Sequence, residues 1–113
     1  MDGTTTPKHS PLAVLAEAAG PMFEAFHGFH SAAERSGGAI PAKYRELMAV
    51  AVALTTQCQR CIERHSQRAR EAGATREELA ETVFVAAAVR AGGAVVHGLH
   101  AMRAGFGEPG KAP

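Results

Sequence analysis

The sequence predicts an all-α fold: a compact bundle of about five to six helices that assembles into an oligomer. In several segments the apolar residues recur at the three- and four-residue spacing of a buried helix face. No segment shows the alternation of apolar and polar residues that marks a half-buried strand. Glycine and proline separate the helical segments, so we expect connecting turns of about two to five residues.

Length and composition indicate one small domain. The chain has 113 residues, of which 46% are hydrophobic and 20% are charged, as is ordinary for a soluble globular protein. We expect residues 11–105 to form a single helical domain. A disordered N-terminal tail, 1–10, and a loose C-terminal tail, 106–113, are expected to flank it.

The charge pattern bears on location and partners. The segment "MDGTTTPKHS" lacks a basic start that leads into an apolar run, and "LMAVAVAL" and "VFVAAAV", the longest strictly apolar stretches, are far shorter than a bilayer requires. Twelve basic and eleven acidic residues are scattered along the chain, which argues against binding to nucleic acid or acidic lipid. We therefore predict a cytoplasmic protein without a membrane or nucleic-acid partner, whose partner is a small molecule or a protein.

The first helical segment covers residues 11–38. It is interpreted as one or two helices interrupted at Gly20-Pro21, because proline can open the first turn of a new helix.

The next helix is predicted from Pro41 to about Thr56, since proline suits a first turn. Val50 and Val52 extend its apolar surface beyond one face, as in a helix that is buried on several sides. In so short a chain this favours an oligomer. The predicted core face consists of Tyr44, Leu47, Met48, Ala51 and Leu54.

Local signals define the helix that follows and the start of the next one. The former is predicted to begin near Thr56 or Gln57 and to stop at Gly73, where glycine readily adopts a left-handed conformation. Thr75 and Glu78 then form the sequence pattern of a capping box, with Thr75 as the N-cap.

The helix that starts at Thr75 is predicted to break at Gly92-Gly93, and a further helix is predicted from Ala94 to Ala104. The apolar stripe before the break consists of Leu79, Val83, Ala86 and Ala87.

The chain has two cysteines, Cys58 and Cys61, and they form a C-x-x-C motif. A disulfide across so short a loop stabilises a fold by only about 2 kcal/mol before strain is subtracted. Structural disulfides are also rare in the reducing cytoplasm. We therefore interpret the motif as redox or metal chemistry rather than as a structural link.

Helical spacing places Cys58, Cys61 and His65 within a narrow stripe on one face, so these side chains can touch. The stripe starts at a helix N-terminus, where unpaired N–H groups and the helix dipole favour a thiolate. A turn near residues 55–57 would bring Glu46 of the preceding helix beside the stripe, where its carboxylate could orient His65 and exchange protons with it.

Glu46, Cys58, Cys61 and His65 together form the pattern E-x11-C-x2-C-x3-H. With residues 44–98 around it, this pattern resembles the alkylhydroperoxidase D-like branch of the carboxymuconolactone decarboxylase family. The resemblance implies an all-helical subunit that forms a trimer or a hexamer, and a thiol peroxidase site in which these four residues form a proton relay. Better-studied relatives carry a histidine immediately before the second cysteine, where this chain has Arg60.

We thus expect an intracellular thiol oxidoreductase that reduces hydroperoxides without a cofactor or a metal. Cys61 is predicted as the thiol that attacks peroxide, because it lies four residues from His65 and the family resemblance assigns attack to the second cysteine. Cys58 is predicted as the resolving thiol. The resemblance suggests an external dithiol reductant of the lipoyl or thioredoxin-like type.

Other functions remain open at this stage. Relatives without the cysteines are cofactor-free decarboxylases of a lactone acid, and this chain could retain such a pocket. The disulfide could also serve a non-enzymatic redox sensor by altering the oligomer. A zinc site is a further alternative, with Glu46, Cys58, Cys61 and His65 as ligands, although structural zinc usually takes its ligands from separate elements. The two cysteines could also be buried and inert.

Two histidine pairs, His27/His30 and His97/His100, repeat an H-G-x-H spacing that places each pair on one helical face. A metal site or a proton path would use such a pair, but we interpret the repeat as coincidence because glycine makes a poor rigid platform for ligands.

Overall fold

The computed structural model describes residues 11–35, 37–108 and 110. No strand occurs among these residues, which confirms the predicted all-α class. The predicted N-terminal tail lies outside them, as do residues 109 and 111–113 of the predicted C-terminal tail. The described helices are α1 (Pro11–Ala18), α2 (Gly20–Glu34), α3 (Ala42–Thr56), α4 (Gln59–Glu71) and α5 (Arg76–Phe106).

The chain divides into two compact units, residues 1–39 and residues 40–113. The first unit contains α1 and α2, which pack against each other. Ala19 separates them, and Pro21 lies in the first turn of α2, as the sequence predicts.

In the second unit, α4 and α5 both pack on α3. Val50 of α3 is 2% exposed, and the other buried apolar residues are Leu47, Ala53, Ala69 and Ala86. The prediction that Tyr44 and Met48 belong to the core is wrong, because they are 48% and 53% exposed. The face of α3 that α4 and α5 cover is rotated relative to the predicted one. Its buried residues are Glu46, Leu47, Val50 and Ala53.

A two-residue turn, Gln57 and Cys58, connects α3 to α4. Gln57 adopts a left-handed conformation, with φ 58° and ψ 40°. Its N–H and that of Cys58 both donate hydrogen bonds to the carbonyl oxygen of Ala53. This turn reverses the chain, so α4 returns along α3.

The start of α5 follows the predicted local signals. Gly73, after α4, has a φ of 98°. The backbone N–H of Glu78 donates to Oγ1 of Thr75 at 3.0 Å, and the N–H of Thr75 donates to Oε1 of Glu78 at 2.8 Å. The predicted capping box is therefore confirmed.

The predicted break at Gly92-Gly93 is wrong, because α5 continues without interruption through 31 residues to Phe106. A glycine inside a helix costs about 1 kcal/mol relative to alanine, which the hydrogen bonds of a long helix can absorb.

α5 exposes many large apolar side chains. By length and composition alone, α5 could cross a membrane, although the short apolar stretches in the sequence did not predict this. Within the chain, 6% of the most apolar 18-residue part of α5 is buried. Monomeric soluble proteins rarely expose so much apolar surface. The large exposed residues of α5 are Val83, Phe84, Val85, Val89, Val95, Val96, Leu99, Met102 and Phe106.

Candidate functional site

A buried, hydrogen-bonded pair of side chains joins α3 to α4. Nδ1 of His65 lies 2.6 Å from Oε2 of Glu46. Glu46 is 8% exposed and His65 is 7% exposed. Transfer of a carboxylate into a protein interior is costly unless a hydrogen-bonded partner accompanies it, so each residue makes the burial of the other possible.

This contact fixes the imidazole of His65. Because the carboxylate of Glu46 accepts the hydrogen bond, Nδ1 is the donor and Nε2 is the ring nitrogen on the opposite side. A carboxylate in this position also stabilises the imidazolium that forms when the ring takes up a proton.

Cys58 and Cys61 are joined by a disulfide, with their Cα atoms 5.2 Å apart. This Cα separation lies inside the usual range for disulfides. Both residues are half-buried at the start of α4. Both cysteines are therefore partly accessible, as reactive cysteines usually are, and Cys61 lies one helical turn from His65.

The expectation that Cys58 lies within the helical stripe needs a correction. Cys58 is the N-cap of α4 and has an extended backbone, with φ −90° and ψ 94°. Gln57 adopts a left-handed conformation, and α4 starts at Gln59, two or three residues after the predicted start near Thr56 or Gln57. Cys61 and His65, four residues apart, are the two that share a face of α4.

The N-cap position brings the Cys58 sulfur close to backbone donors. The N–H of Cys61 donates a hydrogen bond to Sγ of Cys58 at 3.3 Å. When the disulfide is reduced, this N–H and the positive end of the helix dipole both favour a thiolate at Cys58. Arg60, the residue before Cys61, is exposed.

Among the residues that the structure describes, no group of three or more histidine, cysteine or acidic side chains could hold a metal ion. The rings of His97 and His100 lie edge to face, 5.7 Å apart, on the exposed side of α5. On α2, Nε2 of His30 pairs with Oε1 of Glu34 at 3.2 Å.

The sequence-based interpretation missed Arg90. Nη1 of Arg90, on α5, donates a hydrogen bond to the carbonyl oxygen of Thr55, in the last turn of α3. The signal in the sequence was a single cation within the otherwise apolar stretch "VFVAAAVRAGGAVV". Such a residue in an apolar helix usually has a specific partner.

A second polar contact also joins α5 to α3. Nζ of Lys43 lies 3.0 Å from Oε2 of Glu78. The hydrogen bond from the backbone N–H of Thr75 and the contact with Lys43 lower the pKa of Glu78 below its ordinary value. The hydrogen bond with Glu78 raises the pKa of Lys43.

Comparison with known proteins places these features in a family. The carboxymuconolactone decarboxylase family model matches residues 20–104. "Uncharacterized protein 4 in cox locus" of Paracoccus denitrificans is 50% identical over 60 residues, which are 53% of this chain and 54% of that protein. An uncharacterized protein of Cupriavidus necator is 38% identical over 71 residues, 63% of this chain and 62% of that protein. The matched part of the chain thus spans little more than half the length of these relatives.

A solved structure has a similar fold. The crystal structure of a protein from Methanobacterium thermoautotrophicum, a structural genomics target, matches with a TM-score of 0.68 and 36% sequence identity. The match covers 79% of this chain and 99% of that one. Because the family model matches well over half of the residues, the chain belongs to the carboxymuconolactone decarboxylase family.

Proposed function

We propose that this protein is a thiol-dependent hydroperoxide reductase of the alkylhydroperoxidase D-like type. In this proposal Cys58 and Cys61 cycle between a dithiol and a disulfide, and Glu46 and His65 handle the protons. The observation that carries the proposal is the buried 2.6 Å contact between His65 and Glu46, because it orients an imidazole one turn from Cys61. An oriented imidazole beside a thiol is the usual arrangement for activating a nucleophilic cysteine.

The first step oxidises Cys61. His65 takes the proton of the Cys61 thiol, and the thiolate attacks the terminal oxygen of the hydroperoxide. The O–O bond breaks, the sulfur keeps one oxygen as a sulfenic acid, and the proton on His65 passes to the departing alkoxide. The products of this step are an alcohol and the Cys61 sulfenic acid.

The second step closes the disulfide. The Cys58 sulfur attacks the sulfur of the sulfenic acid, an S–S bond forms, and the oxygen leaves as water with the proton of the Cys58 thiol. The 5.2 Å between the two Cα atoms allows this bond without a large backbone movement. An external dithiol of the lipoyl or thioredoxin-like type then exchanges with the disulfide and becomes oxidised itself, which restores both thiols.

The same proposal includes a cytoplasmic homo-oligomer, a trimer or a hexamer. Phe84 and Val95 of α5 are 74% and 75% exposed in the single chain, and copies of α5 could cover one another. The N-terminal half of α5 packs on α3 through Lys43–Glu78 and Arg90–Thr55, so this half already has a protein partner. Both observations favour a subunit interface over a membrane span.

Steady-state turnover tests the proposed activity. The purified protein is supplied with an alkyl hydroperoxide and an excess of a small dithiol, and alcohol formation is measured. We expect many turnovers per subunit from the natural protein and none from the Cys58→Ser/Cys61→Ser double variant. A single turnover with a change in oligomer mass would instead identify a redox sensor. Consumption of a lactone acid by the double variant would identify a decarboxylase.

A further inference from the structure

We infer that Arg90 is a positioning residue for the dithiol: its guanidinium holds the turn between α3 and α4 in the conformation that places Cys58 against Cys61. Arg90 thereby shifts the equilibrium between dithiol and disulfide toward the disulfide. This inference deepens the proposed function, because the effect of Arg90 on turnover rests on that function. The equilibrium itself is independent of any peroxidase activity.

Arg90 binds the C-terminal end of α3. The carbonyl groups in the last turn of a helix lack partners within the helix and carry its negative dipole. The last turn of α3 contains no basic residue of its own. Arg90 supplies the cation from α5, 35 positions along the chain, and donates its hydrogen bond to the carbonyl oxygen of Thr55.

The turn that follows needs such a restraint. Gln57 is the non-glycine residue with a positive φ in the described part of the chain, and the left-handed conformation is unfavourable for residues with a Cβ atom. Conformations of this kind persist where surrounding contacts hold them, and they are concentrated at functional sites. The hydrogen bonds around this turn include the one from Arg90 to Thr55 and the two that the N–H groups of Gln57 and Cys58 donate to Ala53.

The position of Cys58 depends on this turn. As the N-cap of α4, Cys58 has an extended backbone, and its Sγ lies over the first turn, where it accepts from the N–H of Cys61. If the turn loosens, Cys58 samples positions from which its sulfur does not reach that of Cys61. The effective concentration of one thiol at the other then falls, which destabilises the disulfide relative to the dithiol.

The test is the equilibrium of the full-length protein with glutathione. The reduced protein gives two electrons and two protons to oxidised glutathione, so the Cys58–Cys61 bond forms and two molecules of reduced glutathione are released. Thiols are trapped with an alkylating reagent at several glutathione ratios, and mass spectrometry gives the oxidised fraction.

The main variant is Arg90→Met, which keeps a long apolar stem and removes the donor. We expect its equilibrium constant for oxidation to fall by about two- to tenfold, the size of one net hydrogen bond. Arg90→Lys, which keeps a cationic donor, should recover most of the loss. The matched control is Arg103→Met on the same helix, since Arg103 pairs with Glu108 at 3.5 Å, away from the turn; it should leave the constant unchanged.

Three results would overturn the inference: an unchanged constant in Arg90→Met, an equal fall in Arg103→Met, or a rise in Arg90→Met. A rise would mean that the guanidinium acts through its charge, by stabilising the thiolate of the reduced form. If Arg90→Met does not fold, Arg90→Gln, which has less reach and no charge, must show the same fall. No peroxide is involved, so a protein without peroxidase activity would still show the shift, whereas the turnover assay alone decides the proposed function.

Discussion

Glu46 and His65 form a buried pair across two antiparallel helices, with 2.6 Å between Oε2 and Nδ1. The two residues are 19 positions apart in the chain, and the turn at Gln57 and Cys58 brings them together. The same turn places Cys58 at the start of α4, where its sulfur forms the disulfide with Cys61. One reversal of the chain therefore assembles the Glu46–His65 pair and the two sulfurs.

The first prediction concerns this pair. Glu46→Gln keeps the shape of the side chain but loses the negative charge that stabilises the imidazolium of His65. We expect peroxide reduction to slow by tenfold or more, in keeping with general acid–base contributions of about 10²–10⁴. Steady-state kinetics, with circular dichroism and light scattering to check fold and oligomer, measures the effect; an unchanged rate would make Glu46 a structural carboxylate.

The second prediction assigns the two sulfurs. In the proposed mechanism Cys58→Ser still consumes one equivalent of peroxide and stops at a sulfenic acid on Cys61, which a dimedone-type probe traps. Cys61→Ser should consume almost none. The same experiment tests the alternative that Cys58 attacks the peroxide. The N–H of Cys61 and the dipole of α4 favour a thiolate at Cys58. An adduct on Cys58 in Cys61→Ser, with Cys58→Ser inert, would reverse the two roles.

Much of the fold follows from local signals in the sequence. The capping box of Thr75 and Glu78 involves neighbours in the chain, and its pattern predicts it. The proximity of Glu46 and His65 is predictable for a different reason. A carboxylate on an apolar helix needs a partner, and a turn after α3 brings the next helix back to it.

The errors arise where distant parts of the chain decide the outcome. The exposure of Tyr44 and Met48 depends on which side of α3 is covered by α4 and α5, and periodicity leaves that rotation open. The continuation of α5 through Gly92 and Gly93 depends on the whole helix rather than on two residues. The contact of Arg90 with Thr55 spans 35 positions, so it has no local pattern.

The third prediction concerns the pH dependence of stability. Because the folded state lowers the pKa of Glu78, its contribution to stability is present above the ordinary pKa near 4.5 and is lost as the pH falls through the folded-state value. Glu78→Gln should therefore lower Tm at pH 7 and have little effect near pH 2. Thermal unfolding of both proteins between these pH values tests this.

The matched control for Glu78→Gln is Glu77→Gln, which removes the neighbouring carboxylate but leaves the capping box intact. We expect a smaller change in Tm at pH 7 from this variant. Equal losses of Tm in the two variants would mean that general charge on the first turn of α5, rather than the contacts of Glu78 with Thr75 and Lys43, provides the stability.

The fourth prediction concerns assembly. The apolar surface of α5 and the small size of the chain predict a trimer or larger at micromolar concentration, measured by light scattering. Val95→Asp/Leu99→Asp, which puts two charges on this surface, should lower the mass, whereas Gln67→Asp at an exposed position of α4 should not. A monomeric mass for the natural protein would contradict the proposed oligomer.

The most direct test of the central claim is a count of thiols before and after peroxide. The protein is reduced, freed of reductant and treated with one equivalent of an alkyl hydroperoxide per subunit, and its free thiols are titrated under denaturing conditions. We predict a fall from two thiols per subunit to none, with a Cys58–Cys61 disulfide found by mass spectrometry and one equivalent of alcohol released. Two thiols remaining, with the hydroperoxide intact, would contradict the proposed redox chemistry.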